Sequence, residues 1–215
     1  MDSRAFYGRW AGVYDSLAAA PGVRSWRERA TAALELAPND TVVEMGCGTG
    51  ANVPHLRERV ADGGRVLGVD VTRGMLRRAR THADRTGQSI HYVQGDASCP
   101  PISTADAVLA TFVVGIFTDP ATVVRRWCDL VGTGGRMALL NFQRSDRPLV
   151  APLNIAFEAF VRLSAPGGRL SRSSQAPDFE RRVEAARDAL RERTADIRFE
   201  TFAGGYVGLL SGQVA

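Results

Sequence analysis

Lysine is absent from this 215-residue chain; all 27 of its basic residues are arginine. They are spread along the sequence, a bias that reads as the imprint of a GC-rich genome and not of a function. Net charge is only +4. That balance permits an anionic substrate or a membrane surface but does not by itself indicate nucleic acid. Mixed-charge stretches such as Arg181-Arg182-Val183-Glu184 read as solvated helix faces. Cysteine is scarce. Cys47, Cys99 and Cys128 form neither an even set nor a regular spacing, which argues against a disulfide framework and fits a reducing compartment. No CxxC or Cys/His cluster offers zinc-ligand spacing. The first residues lack the apolar core of a signal peptide, and no run reaches the roughly 20 apolar residues of a membrane span. The expectation is a cytoplasmic protein with no metal site, no transmembrane segment and no nucleic-acid partner.

What is present is an ordinary globular composition, 45% hydrophobic and 23% charged, in a length that suits one domain over 1–215. Short apolar runs alternate with amphipathic stretches, the signature of βαβ units and a parallel sheet. Strands are predicted at Thr41 to Met45, Arg65 to Asp70, Ile90 to Gln94, Ala105 to Thr111 and Arg136 to Phe142. Helices are predicted from Ala51 to Val60 with Pro54 in the first turn, after the cap Thr72 to near Gly87, and from Asp119-Pro120 to Val131. Residues 1–38 read as an N-terminal helical cover and 144–177 as an insertion. A charged helix is expected from about Asp178 to Arg193. Ile197 to Phe202 and Tyr206 to Leu210, joined by Ala203-Gly204-Gly205, must form a hairpin. The fold class is therefore α/β: a Rossmann-like doubly wound sheet, mostly parallel, with an antiparallel C-terminal hairpin strand.

The strongest chemical signal is Glu44-Met-Gly46-Cys47-Gly48-Thr-Gly50, at the end of the first strand. Glycines let the backbone bend sharply and approach a ligand without a Cβ in the way. The helix that follows presents free amides to anionic or polar groups. Asp70 ends the second strand 20 residues after Gly50, where a carboxylate can accept both hydroxyls of a ribose. Gly46, Gly48 and Ala51 also satisfy the dinucleotide pattern, so an NAD(P)-dependent oxidoreductase stays open on these residues. Three features point elsewhere. Forty residues precede the first strand, Gly95-Asp96-Ala97 places a carboxylate where an adenine amino group could donate, and the closing hairpin exceeds what a dinucleotide fold requires.

From Thr41 to about Phe142 the chain resembles the class I S-adenosylmethionine-dependent methyltransferases, of the type that includes the ubiquinone/menaquinone biosynthesis methyltransferases. The resemblance rests on Val42 to Gly50, Gly68-Val-Asp70, Met75-Leu-Arg-Arg-Ala-Arg80, Gly95-Asp-Ala97, Asp106-Ala-Val108 and Leu130-Val-Gly-Thr-Gly-Gly-Arg136. Thr133 stands where many relatives have proline. The resemblance implies S-adenosyl-L-methionine as cofactor, with Glu44, Gly46, Cys47, Gly48 and Gly50 around its methionine part and Asp70 on its ribose. Val71 and Met75 would pack near the adenine, with Asp96 and the Ala97 backbone reading its edge. Thr111 and Phe112 would lie near the sulfonium and the substrate. For Met75 and Phe112, core packing is an equal alternative. The opening Tyr7 to Asp15 resembles the family's first segment, which makes Tyr14 a cofactor contact and Trp26-Arg27 a second one.

The acceptor is not announced by any side chain. There is no Asn-Pro-Pro-Tyr motif, and Cys99 precedes Pro100 where a cytosine-methylating nucleophile would follow a proline. His55, His82 and His91 read as packing or surface residues, so no catalytic base is named. A sulfonium is an activated methyl donor, and holding an acceptor in line at about 3–3.5 Å supplies much of the acceleration. The expected function is methyl transfer to a small apolar molecule. The alternatives are the oxidoreductase and a protein that binds the same cofactor without methylating. Oligomeric state stays open, and peripheral membrane contact would use Arg144, Arg147, Arg162 and Arg169.

Leu149 to Leu163 carries two charges and reads either as a substrate lid or as a helix that dimerises or completes the core. If it is a lid, replacing Phe157 and Phe160 with Ala is expected to weaken acceptor binding and spare cofactor binding. Parallel titrations check this, and equal loss of both would refute the lid.

Overall fold

The computed structural model describes residues 21–86, 90–145, 147 and 175–215. The expected lid and Tyr14 lie outside these residues. Seven strands form one sheet in the order β3-β2-β1-β4-β5-β7-β6. They are β1 (Thr41–Met45), β2 (Arg65–Asp70), β3 (His91–Gln94), β4 (Ala107–Thr111), β5 (Arg136–Phe142), β6 (Thr194–Phe202) and β7 (Val207–Val214). The first five are mutually parallel, and β7 runs antiparallel to both β5 and β6. β4 is buried along its whole length, which is why Ala107-Val-Leu-Ala-Thr111 shows no polar alternation.

Helices among the described residues are α1 (Pro21–Ala32), α2 (Val53–Arg57), α3 (Arg73–Thr86), α4 (Pro120–Val131) and α5 (Gln175–Arg193). α1, the turn after it and α2 cover one face of the sheet through Ala30, Leu34 and Leu56, packed on Val42, Leu109 and Leu140. α4 and α5 cover the other face, where Trp127, Val183 and Leu190 meet Val43, Val108 and Leu139. The Asp119 carboxylate accepts from Thr122 N at 3.1 Å and caps α4, with Pro120 behind it, as the sequence predicts.

Several expected boundaries move, β4 for instance beginning at Ala107 and not Ala105. The helix after the glycine loop is shorter than Ala51 to Val60. Asn52 occupies its cap position, but the side chain makes no capping bond. Beyond Arg57 the chain turns so that Ala61 N reaches Pro38 O at 2.8 Å, which closes the approach to β2. The hairpin strands are longer than expected. Ser211-Gly-Gln213 interrupts the apolar run, yet these residues continue to pair with β5 (Ala138↔Ser211, Arg136↔Gln213), and backbone pairing outlasts the hydrophobic pattern. In residues 181–184 the charged Arg181 and Glu184 are solvent-exposed, as the sequence predicts, while Val183 turns inward at 2% exposed and joins the core against α4.

Trp127 ties this core to the carboxyl edge. It is fully buried, and its indole N–H donates to Ala97 O at 2.8 Å. Trp127→Phe leaves that carbonyl without its donor and is expected to destabilise the fold by about 1–3 kcal/mol. Urea denaturation with an unchanged slope would read it; an unaltered midpoint would refute the anchoring role.

Candidate active site

The chain runs outward from β1 to β3 on one side and returns to β4 on the other, so the order reverses between β1 and β4. Open α/β sheets bind ligands beyond the carboxyl ends of the strands at such a point. The loop leaving β1 is held there by two bonds from one carbonyl, Gly46 N and Cys47 N donating to Val69 O at 2.8 and 3.0 Å. Gly46, Gly48 and Gly50 all have positive φ, at 69°, 56° and 81°, where an L side chain is strained. A Cβ at Gly46 would also strike Val113 at 2.6 Å, whereas one at Gly48 would meet nothing within 4 Å. Among the described residues, Gly48 therefore faces open space.

Asp70 is oriented toward this loop. Its Oδ2 accepts from Gly48 N at 2.9 Å and its Oδ1 from Thr72 N at 2.7 Å, with the Thr72 hydroxyl adding a third bond. Burial nonetheless raises its pKa. Each carboxylate oxygen keeps acceptor capacity for a ligand. The loop after β3 is tied alongside by Gly95 N donating to Asp70 O at 3.1 Å.

Beneath the loop lies a polar cluster that sequence reasoning resolved only in part. Asn52 is fully buried; its Oδ1 accepts from Arg27 Nη1 at 3.0 Å, and its Nδ2 donates to Glu44 Oε1 and, at 2.9 Å, to Thr111 Oγ1. The carboxamide thus stands between a cation and an anion with each end facing the complementary charge. Among the described residues, Glu44 Oε2 and Arg27 Nε are buried without partners. Burial pushes the Glu44 carboxyl up to about 7, against the downward pull of Asn52 and Arg27 and with a further push from Asp70. Burial lowers the Arg27 pKa, and the Glu44 charge opposes that. Asn52 was missed because nothing in its local sequence separates a helix cap from a buried relay. Arg27 was singled out only beside Trp26.

The other expected residues divide. Thr111 is buried in the cluster, and Phe112 follows it with φ 59°, a left-handed backbone unusual for an aromatic residue. Phe112 is held by its N–H to Leu140 O at 2.7 Å, by stacking on Phe142 at 4.3 Å, and by the Arg27 guanidinium 5.5 Å from its ring. Cys47 is buried against Gly68, and burial pushes its thiol well up, so it is a neutral packing group. Met75 is buried and Val71 is exposed, with Val71 O accepting from Gln94 Nε2 at 3.3 Å. Asp96 is exposed and caps its own turn through Ser98 N at 2.8 Å. Ala97 is buried.

Between its ordinary value of 4.5 and about 7, the folded Glu44 holds a proton that the unfolded chain releases, and above that it is the anion of the cluster. Its stabilising contribution is complete below the ordinary value of 4.5 and is lost as pH rises to about 7. That loss is roughly 3 kcal/mol, at about 1.4 kcal/mol per pKa unit. Glu44→Gln is expected to flatten the decline of stability across that window, while Asp70 contributes a slope of the same sign to both proteins. Denaturant titrations at several pH values check this, and identical slopes would overturn it.

Comparison with known proteins bears on the cofactor. Residues 42–135 match a methyltransferase domain family. The chain is 33% identical over 150 residues to a phosphatidylethanolamine N-methyltransferase of Cereibacter sphaeroides, covering 67% of this chain and 70% of that protein. It is 25% identical over 201 residues to the ubiquinone/menaquinone biosynthesis C-methyltransferase of Salmonella arizonae, covering 89% and 78%. Against its curated relatives the chain spans from 48% to 78% of their length. A crystal structure from Thermotoga maritima, described as a SAM-dependent methyltransferase and possible histamine N-methyltransferase, superposes with a TM-score of 0.67 at 15% identity over 99% of both chains, and so shares the fold. The oxidoreductase alternative gives way to this match. The chain belongs to the class I S-adenosylmethionine-dependent methyltransferases, and S-adenosylmethionine is its cofactor.

Proposed function

We propose that the protein methylates a small, apolar acceptor and does so mainly by holding it in place. The observation that carries the reading is the pair of buried, unpartnered atoms at the switch point, Glu44 Oε2 and Arg27 Nε. One accepts and the other donates, which matches the ammonium and carboxylate of a methionine moiety. The open space at Gly48 leaves room for that moiety. When bound, S-adenosylmethionine supplies a methyl group on a sulfonium, already activated for transfer.

The chain's own residues bind and orient. Gly46, Cys47, Gly48 and Gly50 wrap the methionine part, and Asp70 accepts the ribose hydroxyls. Asp96 and the Ala97 backbone read the adenine edge, with Val71 and Met75 beside it; Tyr14 covers the cofactor. The exposure of Val71 at 38% supports its share of this role, while the burial of Met75 suits packing equally well. Thr111 and Phe112 line the reacting side. The strained Phe112 backbone and its stack with Phe142 and, through it, Tyr206 support an apolar wall there. The names of the relatives support an apolar acceptor as well, since one methylates a phospholipid nitrogen and the other a quinone-biosynthesis carbon. Orienting an acceptor against such a donor replaces much of what a base would do for an amine or an acidic phenol. Among the described residues no helix is long and apolar enough to cross a membrane.

Calorimetric titration with S-adenosylmethionine, S-adenosylhomocysteine and NADH tests the reading, with Asp70→Ala alongside. Micromolar binding of the first two is expected, weakened about 10- to 100-fold in the variant, as for loss of charge-assisted hydrogen bonds. Heat from NADH alone would overturn the cofactor assignment. Cofactor binding with no methyl transfer to any apolar amine, phenol or quinol would overturn the enzymatic one.

A further inference from the structure

On the opposite face of the sheet from Arg27 and Thr111 lies a second polar concentration. Among the described residues, five of the seven buried side-chain polar atoms without a hydrogen-bond partner belong to Asn141, Gln143 and Arg187. Buried polar groups in folded proteins are almost always paired, so a cluster of orphans calls for an explanation. Arg187 comes from α5 and is 5% exposed, while Asn141 and Gln143 stand at the carboxyl end of β5, two residues apart and so on one face. The three surround Gly208 of β7, which pairs with Asn141. A Cβ on Gly208 would lie 2.4 Å from both Arg187 Nη2 and Gln143 Oε1, so the glycine is what lets these two side chains pack against β7.

The orphaned atoms of Arg187 are Nε and Nη2, while Nη1 donates to Glu184 at 3.4 Å. Nε and Nη2 share one edge of the guanidinium plane, the edge that meets a carboxylate with two parallel bonds. Glu184 does not fill that edge: its Oε2 meets Nη1, and its Oε1 accepts from Arg191 at 2.7 Å. The guanidinium lies 5.1 Å from the ring centre of Phe199, itself 46% exposed. Arg187, Gln143, Val183 and Phe199 line a cavity of about 540 Å³. That is the size of a small-molecule site, whereas a bridging water occupies about 30 Å³.

We propose that this cavity binds a small carboxylate, separate from the cofactor and the methyl acceptor. Its acid group lies side-on to Arg187 Nε and Nη2, its apolar body rests on Phe199 and Val183, and a donor on the ligand reaches Gln143 Oε1. Arg144, Arg181, Arg191, Glu180 and Glu184 also line the cavity; Arg181 and Arg191 are engaged by Asp178, Glu184 and Asp188, and Arg187 is the lining arginine whose buried donors are unpartnered among the described residues.

Benzoate is the probe, titrated into the isotope-labelled full chain with and without saturating S-adenosylhomocysteine. Saturable shifts are expected at the Arg187 Nε–H and Gln143 carboxamide resonances in both series, with binding about tenfold or more weaker in Arg187→Gln, the scale of one lost bidentate pair. Unchanged S-adenosylhomocysteine affinity shows that the variant is folded; should it not fold, the wild-type resonances decide. Arg187→Lys, which keeps the charge without the fork, is expected to weaken binding too. No saturation, shifts confined to other residues, displacement of benzoate by S-adenosylhomocysteine, or tighter binding of inorganic phosphate would each overturn the proposal.

Discussion

The carboxyl edge of this protein depends on one buried carboxamide. Asn52 connects a cation on α1, an anion on β1 and a hydroxyl on β4. Neither charge is in water, and a direct buried ion pair repays its desolvation only with good geometry and further hydrogen bonds. Asn52 supplies those bonds to both partners while keeping each oriented. Arg27 and Glu44 are left with one unpartnered atom apiece, and both belong to side chains already immobilised. In the proposed binding mode such a pair is preorganised for a zwitterion, since the entropy of fixing the side chains was spent in folding.

The sheet makes that arrangement available. Reversal of strand order places the ends of β1 and β4 side by side with no helix between them. α1, which precedes the sheet in sequence, packs back over β4 and β5 to bring Arg27 to the gap. The same edge carries the Phe112 backbone in a conformation that costs of order 1–3 kcal/mol. It persists because Leu140 O and the Phe142 ring hold it.

The two polar clusters follow one logic on opposite faces. In each, a buried arginine keeps donors unspent, and a carboxamide or carboxylate beside it keeps acceptors unspent. They differ in setting. Arg27 borders the cluster beneath the glycine loop to which we assign the cofactor, whereas Arg187 borders Gly208 and an exposed phenylalanine.

Much of the first site was legible from local sequence. The glycine spacing, the acid ending β2, the Asp119-Pro120 start of α4 and the limits of β2 and β5 each depend on a few neighbouring residues and on backbone sterics, so pattern alone determined them. The helix after the loop and the length of the hairpin were not legible, because a distant carbonyl at Pro38 and the partner strand β5 set those limits. Asn52, Gln143 and Arg187 look in sequence like a helix cap, a strand end and a solvated helix face. Their roles arise from which elements pack together: burial removes water as the competing hydrogen-bond partner, and only the tertiary structure decides which polar atoms are left facing one another.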